Sequence, residues 1–246
     1  MGHKKKRHAS AVYFAIIVLI IAAEIIIVRN YNDDSYENIL ADVTGSAWYV
    51  QNRSASGDEE WSLILVNAGN PVPKDYEISL TELSNGQFVD SRIYPDLQKM
   101  FDDMREQEIF PVVGEGYRTH ETQQKMMNDK IQAYINEGFN KKIAQSLAEV
   151  GVAVPGTSEH ELGIAVDINA DKEKSSNDEV YEWLSENAYK YGFIQRYPPG
   201  KFSITGIDFE PWHYRYVGAY HAEKIYSQGV CLEEYLENYE NSEKEK

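Results

Sequence analysis

The feature that most constrains this chain is a long apolar run near its N-terminus, at residues 10–28. At helical rise these residues span roughly 28 Å, close to the thickness of the hydrocarbon core of a bilayer. Glu24 is the one charged residue within the run and lies near its far end. The run is continuous and lacks the periodicity of a helix with one buried face, which disfavours a core helix.

A basic cluster before this run predicts its orientation. Lys4, Lys5, Lys6 and Arg7 favour a cytoplasmic tail at residues 1–9, a single transmembrane anchor at 10–28, and an extracellular location for the rest. The alternative is a cleaved signal peptide, which also begins with basic residues but usually has a shorter apolar stretch. Residues 29–60 are rich in Asn, Asp, Ser, Tyr and Glu and predict an extracellular tether.

Composition excludes several classes of protein. The chain has 246 residues, 42% of them hydrophobic, so it is too apolar to be disordered. Its single cysteine, Cys231, rules out a disulfide scaffold and a cysteine-rich zinc module. The formal net charge of −16 makes nucleic acid an unexpected partner, because phosphate binding depends on clustered Lys and Arg.

The order of predicted elements favours an α+β domain rather than regular βαβ alternation. Apolar spacing predicts helices at residues 94–107, 120–136, 141–150, 179–191, 219–227 and 232–239. Aromatic and β-branched content predicts strands at residues 61–66, 110–113, 163–169, 193–196, 202–205 and 209–217. Residues 238–246 are predicted to form a solvated acidic tail.

Two short segments carry residues suited to metal chemistry. His160 and Asp167 lie in the first, and Glu210 and His213 in the second. Two histidines and one aspartate suit a catalytic zinc site, which keeps a fourth position for water. Glu210 is then a candidate base for that water. Strand alternation puts Asp167 on one face of its strand and the apolar residues on either side of it on the other face, toward the core.

The patterns Ser-x-His-x2-Gly-x-Ala-x-Asp at 158–167 and Glu-x-Trp-His at 210–213 resemble the VanY-type zinc D-Ala-D-Ala carboxypeptidases. The resemblance extends over about residues 62–237 and includes Gly-Tyr-Arg at 116–118 and Asn-Ala-Tyr-Lys-Tyr-Gly-Phe at 187–193. It implies one zinc-peptidase domain over residues 61–237, with a small central antiparallel sheet flanked by helices. The family acts on bacterial cell-wall peptides.

The resemblance also implies residue roles. His160, Asp167 and His213 are the expected Zn²⁺ ligands, and Glu210 the catalytic base and acid. Arg118 is expected over the active site, where a guanidinium can stabilise the oxyanion or bind the terminal carboxylate of the substrate. Three further residues have both a substrate-binding and a structural interpretation: Ser158, Gln124 and Trp212. The segment 210–213 is expected to be an irregular strand, since Pro211 lacks an N–H.

These observations predict a membrane-anchored zinc D,D-carboxypeptidase that removes the C-terminal D-Ala from peptidoglycan stem peptides. An L,D-carboxypeptidase acting on tetrapeptide stems is the alternative within the enzyme class. A non-catalytic zinc-containing wall-binding module is the alternative outside the enzyme class. Such a module usually loses its catalytic base, whereas this chain retains Glu210. A membrane-tethered metal sensor is disfavoured, because residues 1–9 are too few for an output domain.

Overall fold

The computed structural model of the protein describes residues 61–244. The predicted cytoplasmic tail, transmembrane anchor and tether lie outside the described residues. Between residues 61 and 244 no helix is both long and apolar enough to cross a membrane.

Short strands and helices alternate irregularly along the described chain. The strands are β1 (Leu80–Glu82), β2 (Phe88–Asp90), β3 (Pro111–Glu115), β4 (Ala165–Ala170), β5 (Phe193–Gln195) and β6 (His213–Tyr216). The helices are α1 (Tyr94–Glu106), α2 (His120–Asn136), α3 (Lys141–Gly151), α4 (Asn177–Asn187), α5 (Phe202–Thr205), α6 (Ala219–Gln228) and α7 (Leu232–Lys244). Two 3₁₀ turns, Glu159–Leu162 and Ala188–Tyr191, precede β4 and β5. The predicted α+β class is confirmed.

A four-stranded antiparallel sheet with the order β3-β4-β6-β5 forms the centre of the domain. Asp167 on β4 lies opposite His213 on β6 and, on its other side, opposite Glu115 on β3. Directly opposed residues share a face of a sheet. The neighbours of Asp167 along β4, Val166 and Ile168, are fully buried in the core, as the alternation predicted.

Two apolar clusters hold the sheet in place. The larger contains Val166 and Ile168 of β4 together with Leu97, Met100 and Met104, whose helical spacing gives α1 its single buried stripe. The smaller joins β5 to α6 and α7. Helix α7 continues to Lys244, so the predicted tail at residues 238–246 is helical for most of its length.

The predicted strand at residues 61–66 is wrong. The segment begins with a 3₁₀ turn and does not join a sheet. Its apolar residues alternate because they pack against both clusters: Trp61 and Ile64 against the larger, Leu63 and Leu65 against the smaller. The carbonyls of Ser62 and Ile64 accept hydrogen bonds from the buried side chain of Arg215 instead of from a neighbouring strand.

Two other strand predictions also fail. Residues 202–205 form the one-turn helix α5, and its apolar residues Phe202 and Ile204 are exposed rather than packed in a sheet. Of residues 209–217, only His213–Tyr216 pairs as a strand. The predicted helix at 179–191 begins earlier, at Asn177, where a capping box between Ser176 and Glu179 starts α4.

The hairpin β1–β2 was not predicted, although its sequence signal was present. Residues 83–87 connect the two strands, and Gly86 has the positive φ of +81° that the Asn85–Gly86 pair favours. The hairpin is short, and its apolar residues Leu80 and Phe88 are exposed, so no strong alternation marks it.

Gly163 connects the 3₁₀ turn of His160 to β4, at a position where any side chain would be strained. Its φ is +70°, and an added Cβ would lie 2.4 Å from Ile78 Cδ1 and 3.2 Å from the amide nitrogen of Asp90. The Gly163 carbonyl also accepts a hydrogen bond of 2.8 Å from that amide. The conformation and the contacts therefore both require glycine here.

We expect Gly163→Ala to lower the free energy of unfolding more than Gly229→Ala. Gly229 ends α6 with a similar φ of +64°, but an added Cβ there meets nothing within 4 Å. The control should lose about 1–2 kcal/mol for the left-handed conformation alone. Gly163→Ala should lose at least about 1 kcal/mol more because neighbouring atoms must move. Urea denaturation measures both, and equal losses would contradict the close packing at Gly163.

Candidate metal centre

Three predicted ligands converge at one end of the central sheet. One nitrogen from each of His160 and His213 and one carboxylate oxygen of Asp167 all lie within 4.8 Å of one another. His160 comes from the 3₁₀ turn after the loop at 152–158, Asp167 from β4 and His213 from β6. Both histidines are buried and Asp167 is half-buried.

The nitrogens that face Asp167 differ between the two histidines. Asp167 Oδ1 lies 3.5 Å from His160 Nε2 and 3.0 Å from His213 Nδ1. The two rings meet edge to face, with centroids 5.0 Å apart. A metal ion held by this set would therefore be bound through Nε2 of His160 and Nδ1 of His213.

The opposite ring nitrogens face hydrogen-bond acceptors. His160 Nδ1 lies 2.8 Å from the carbonyl oxygen of Gly116, and His213 Nε2 lies 3.5 Å from Glu159 Oε2. When His160 Nδ1 and His213 Nε2 carry the protons, the lone pairs of His160 Nε2 and His213 Nδ1 point toward Asp167. Such acceptors fix the tautomer and orientation of metal-binding histidines. Two nitrogens and one carboxylate, so oriented, fit Zn²⁺.

The charges around this point favour a cation. Burial lowers the pKa of His213, but hydrogen bonds to Asp167 and Glu159 outweigh it and raise that pKa to about 9. Burial also opposes ionisation of Asp167, yet the two histidines hold the pKa of its carboxyl well below the usual range. In the metal-free chain a proton on His213 supplies positive charge that a divalent metal ion would replace.

Glu210 lies beside the three ligands at the start of a turn. The amide of His213 donates to the carbonyl of Glu210 at 3.3 Å, so residues 210–213 form a turn with Pro211 second, a position that proline favours. The expected irregular strand is therefore wrong. Glu210 Oε2 lies 3.8 Å from His213 Nδ1. Burial raises the pKa of the Glu210 carboxyl, while the charges of His213, His160 and Arg118 act against that rise.

Arg118 is buried and held on two sides. Its Nε and Nη2 bind both oxygens of Glu115 at 2.7 and 2.5 Å, and its Nη1 donates to Gln123 Oε1 at 2.5 Å. Gln123 in turn donates to the carbonyl of Ala153 at 2.6 Å. A guanidinium has five N–H groups, so two remain for another acceptor.

The other predicted substrate contacts differ in their placement. Ser158 is buried, and its hydroxyl has no hydrogen-bond partner among residues 61–244. Trp212 is half-buried, and its carbonyl accepts from the amide of Ile168 at 2.9 Å. Gln124 is exposed and bonds to Asn128 on the same helix. Its neighbour Gln123 is the α2 residue that contacts Arg118, because α2 buries Gln123 and Met127. Gln124 as a substrate contact stays a prediction.

The family model for VanY, described as D-alanyl-D-alanine carboxypeptidase, matches residues 86–219. The chain belongs to the VanY family. Its relatives include a D-alanyl-D-alanine carboxypeptidase of Enterococcus faecalis, 58% identical over 181 residues that cover 73% of this chain and 68% of the relative. The resemblance read from the two motifs is confirmed.

Two solved structures of VanY proteins share this fold. One is a mutant of the vancomycin resistance D,D-pentapeptidase VanY from a VanB-type cassette in complex with Zn(II), with 57% identity and a TM-score of 0.68. The alignment covers 72% of this chain and 99% of that one. The other is VanYB in complex with D-alanine-D-alanine, with 56% identity and a TM-score of 0.69, covering 72% and 98% of the two chains.

Three residues around the centre of this VanY-family chain were missed from sequence. Gln123 lies four residues before Met127, so helical periodicity was an available signal for its burial. Glu115 lies only three residues before Arg118, so their ion pair is local in the sequence. Its place opposite Asp167 depends on the pairing of β3 with β4, which the sequence does not specify. Glu159 precedes His160 directly, yet its partners come from distant segments of the chain.

Proposed function

We propose that the protein is a zinc-dependent D,D-carboxypeptidase that removes the C-terminal D-Ala from peptidoglycan stem peptides. The observation that carries the proposal is the convergence of His160, Asp167 and His213 with Glu210 beside them. The Zn(II) complex and the D-alanine-D-alanine complex of VanY proteins support the metal and the substrate class.

The metal ligands and Glu210 have separate roles. His160 Nε2, His213 Nδ1 and Asp167 would hold Zn²⁺, which lowers the pKa of a bound water and polarises the scissile carbonyl. Glu210 is close to the ligating nitrogen of His213, with its pKa raised by burial. Its carboxylate takes the proton of the attacking water and returns it to the departing amino group of D-Ala.

Arg118 is the residue that contacts the reacting part of the substrate in this proposal. Glu115 and Gln123 fix the guanidinium, so its two remaining N–H groups can point at a substrate oxygen without reorganising. We assign these donors to the oxygen of the scissile carbonyl, where negative charge develops. The Ser158 hydroxyl is available to the peptide, and Trp212 lies within the turn that carries Glu210.

The cellular location remains a proposal that rests on the sequence. Residues 10–28 anchor the protein in the membrane, residues 1–9 remain in the cytoplasm, and the domain at 61–237 is extracellular. A protease added to intact cells should degrade the domain and leave the cytoplasmic tail protected. Domain release into the medium would instead support a cleaved signal peptide.

Two synthetic stems test the proposed reaction. The purified full-length chain, loaded with zinc, should convert a pentapeptide stem ending in D-Ala-D-Ala to the tetrapeptide and release one D-Ala, measured by mass spectrometry. A chelator should stop the reaction and added zinc should restore it. Cleavage of the tetrapeptide stem alone would favour the L,D-carboxypeptidase, and zinc binding without cleavage would favour the wall-binding module.

Arg118→Ala should lower kcat about a hundredfold with KM nearly unchanged, since one oxyanion donor is removed. Arg118→Lys should not restore the rate, because an ammonium cannot keep both Glu115 and the substrate in a planar arrangement. Arg105→Lys, on the exposed face of α1, is the control and should behave as wild type. Steady-state kinetics on the pentapeptide measures all three.

Amidating the substrate carboxylate separates the two roles of Arg118. If Arg118 stabilises the oxyanion, the wild-type preference for the free acid should persist in Arg118→Ala. A preference that disappears in the variant would mean that Arg118 binds the terminal carboxylate instead.

A further inference from the structure

We propose that Glu159 is a positioning residue for the metal ligand His213, an inference that rests on the proposed zinc site. The Glu159 carboxylate accepts the Nε2 proton of His213 and so keeps the Nδ1 lone pair directed at the metal. Glu159 itself reaches neither the metal position nor the substrate in this role.

The two oxygens of Glu159 have different partners. Oε1 accepts from Arg196 Nε at 2.8 Å and from Arg215 Nη1 at 2.9 Å. Oε2 lies 3.5 Å from His213 Nε2, at the outer limit of a hydrogen bond. The Glu159 side chain is only 1% exposed, so water does not compete for this oxygen.

Both arginines are themselves fixed, which prevents the Glu159 carboxylate from rotating. Arg196 donates its Nη1 and Nη2 to the two oxygens of Glu233 on α7, at 2.8 and 2.6 Å. Arg215 donates its Nη2 to the carbonyls of Ser62 and Ile64 at 2.9 and 2.8 Å. Both arginine side chains are fully buried. The four charged side chains balance one another, as burial of charge requires.

The two metal-binding histidines therefore have unlike supports. His160 donates to a neutral backbone carbonyl, that of Gly116, whereas His213 faces a buried carboxylate. A charged acceptor makes the imidazole a stronger ligand than a neutral one does. Loss of the carboxylate should therefore weaken the metal site without removing any ligand.

Glu159→Gln tests this role with Glu161→Gln as its matched control. In Glu159→Gln, Arg196 and Arg215 still donate hydrogen bonds to the oxygen of the new side-chain amide. The NH₂ group of that amide therefore faces His213 Nε2. That arrangement favours the tautomer with a proton on Nδ1, the nitrogen that should bind the metal. Glu161 belongs to the same 3₁₀ turn and its side chain is 7% exposed, but it bonds to His120 and the Gly156 amide rather than to a ligand.

We expect Glu159→Gln to weaken Zn²⁺ affinity ten- to a hundredfold in a chelator competition. The absorption bands of the Co²⁺-substituted protein should change as well. Glu161→Gln should match wild type in both measurements. Circular dichroism and thermal melting of the metal-free proteins show whether each variant is folded. A folded Glu159→Gln protein with wild-type zinc affinity would overturn the proposal.

A measurement on the wild-type protein covers the case in which Glu159→Gln fails to fold. Long-range ¹H–¹⁵N spectra of the zinc-loaded chain should show His213 metal-bound at Nδ1 and protonated at Nε2. Metal bound at Nε2 of His213 would overturn the role of Glu159 and leave the proposed function intact. A wild-type chain that binds no zinc and releases no D-Ala would contradict the proposed function itself.

Discussion

Replacing Glu210 with alanine is expected to lower kcat by at least about a hundredfold while one zinc ion per chain remains bound. The carboxylate lies next to His213 Nδ1 without being one of the three converging ligands. Removing it leaves the ligands in place but removes the group that carries the proton from water to the leaving amine. Metal analysis and steady-state kinetics on the pentapeptide stem measure the two effects separately.

Asp208→Ala is the matched control for this prediction. Asp208 is an exposed carboxylate two residues earlier in the same loop, so its loss should leave zinc content and kcat unchanged. If Glu210→Ala loses its zinc together with its activity, Glu210 is a ligand or a support of the metal site. If it keeps more than about a tenth of the wild-type kcat, another group acts as the base.

His160→Ala should weaken zinc affinity by more than the hundredfold expected for loss of a supporting contact, and activity should fall with it. One of the three ligands that converge in the described part of the chain is removed, and the ring that fills the space beside His213 goes with it. Equilibrium competition with a chelator measures the affinity. Excess zinc should restore little activity, because the remaining two ligands no longer define the geometry of the site.

His120→Ala is the control for the loss of a histidine. The His120 side chain is 60% exposed and pairs with Glu161 rather than with the three ligands. The His120→Ala variant should keep wild-type zinc affinity. Zinc affinity that falls equally in both variants would show that the assignment of ligands is incomplete.

The metal ligands were predictable because their signals are local. His160 and Asp167 occur within one short motif, and strand alternation separates Asp167 from the buried Val166 and Ile168. The helices α1, α2 and α3 were predictable for the same reason, since apolar spacing marks each of them within its own segment. Thr119 and Asn140 also cap α2 and α3 through their side chains.

The failures come from contacts between distant segments. Residues 61–66 have the pattern of a strand because they pack against two apolar clusters. Within residues 61–244 no segment pairs with them as a strand. Gln123 and Gln124 lie on different faces of α2, and only the face of Gln123 is buried. Its burial depends on Arg118 and the loop at Ala153, which contact the Gln123 side chain. The four buried charged side chains around Glu159 come from four separate parts of the chain: Glu159, Arg196, Arg215 and Glu233.

Zinc-edge anomalous diffraction from crystals of the zinc-loaded protein tests the central claim most directly. We expect one strong peak bonded to His160 Nε2, His213 Nδ1 and a carboxylate oxygen of Asp167, each at about 2.0–2.2 Å. Glu210 should lie outside bonding distance of that peak. Zinc bound elsewhere on the chain, with these three side chains free of metal, would contradict the claim.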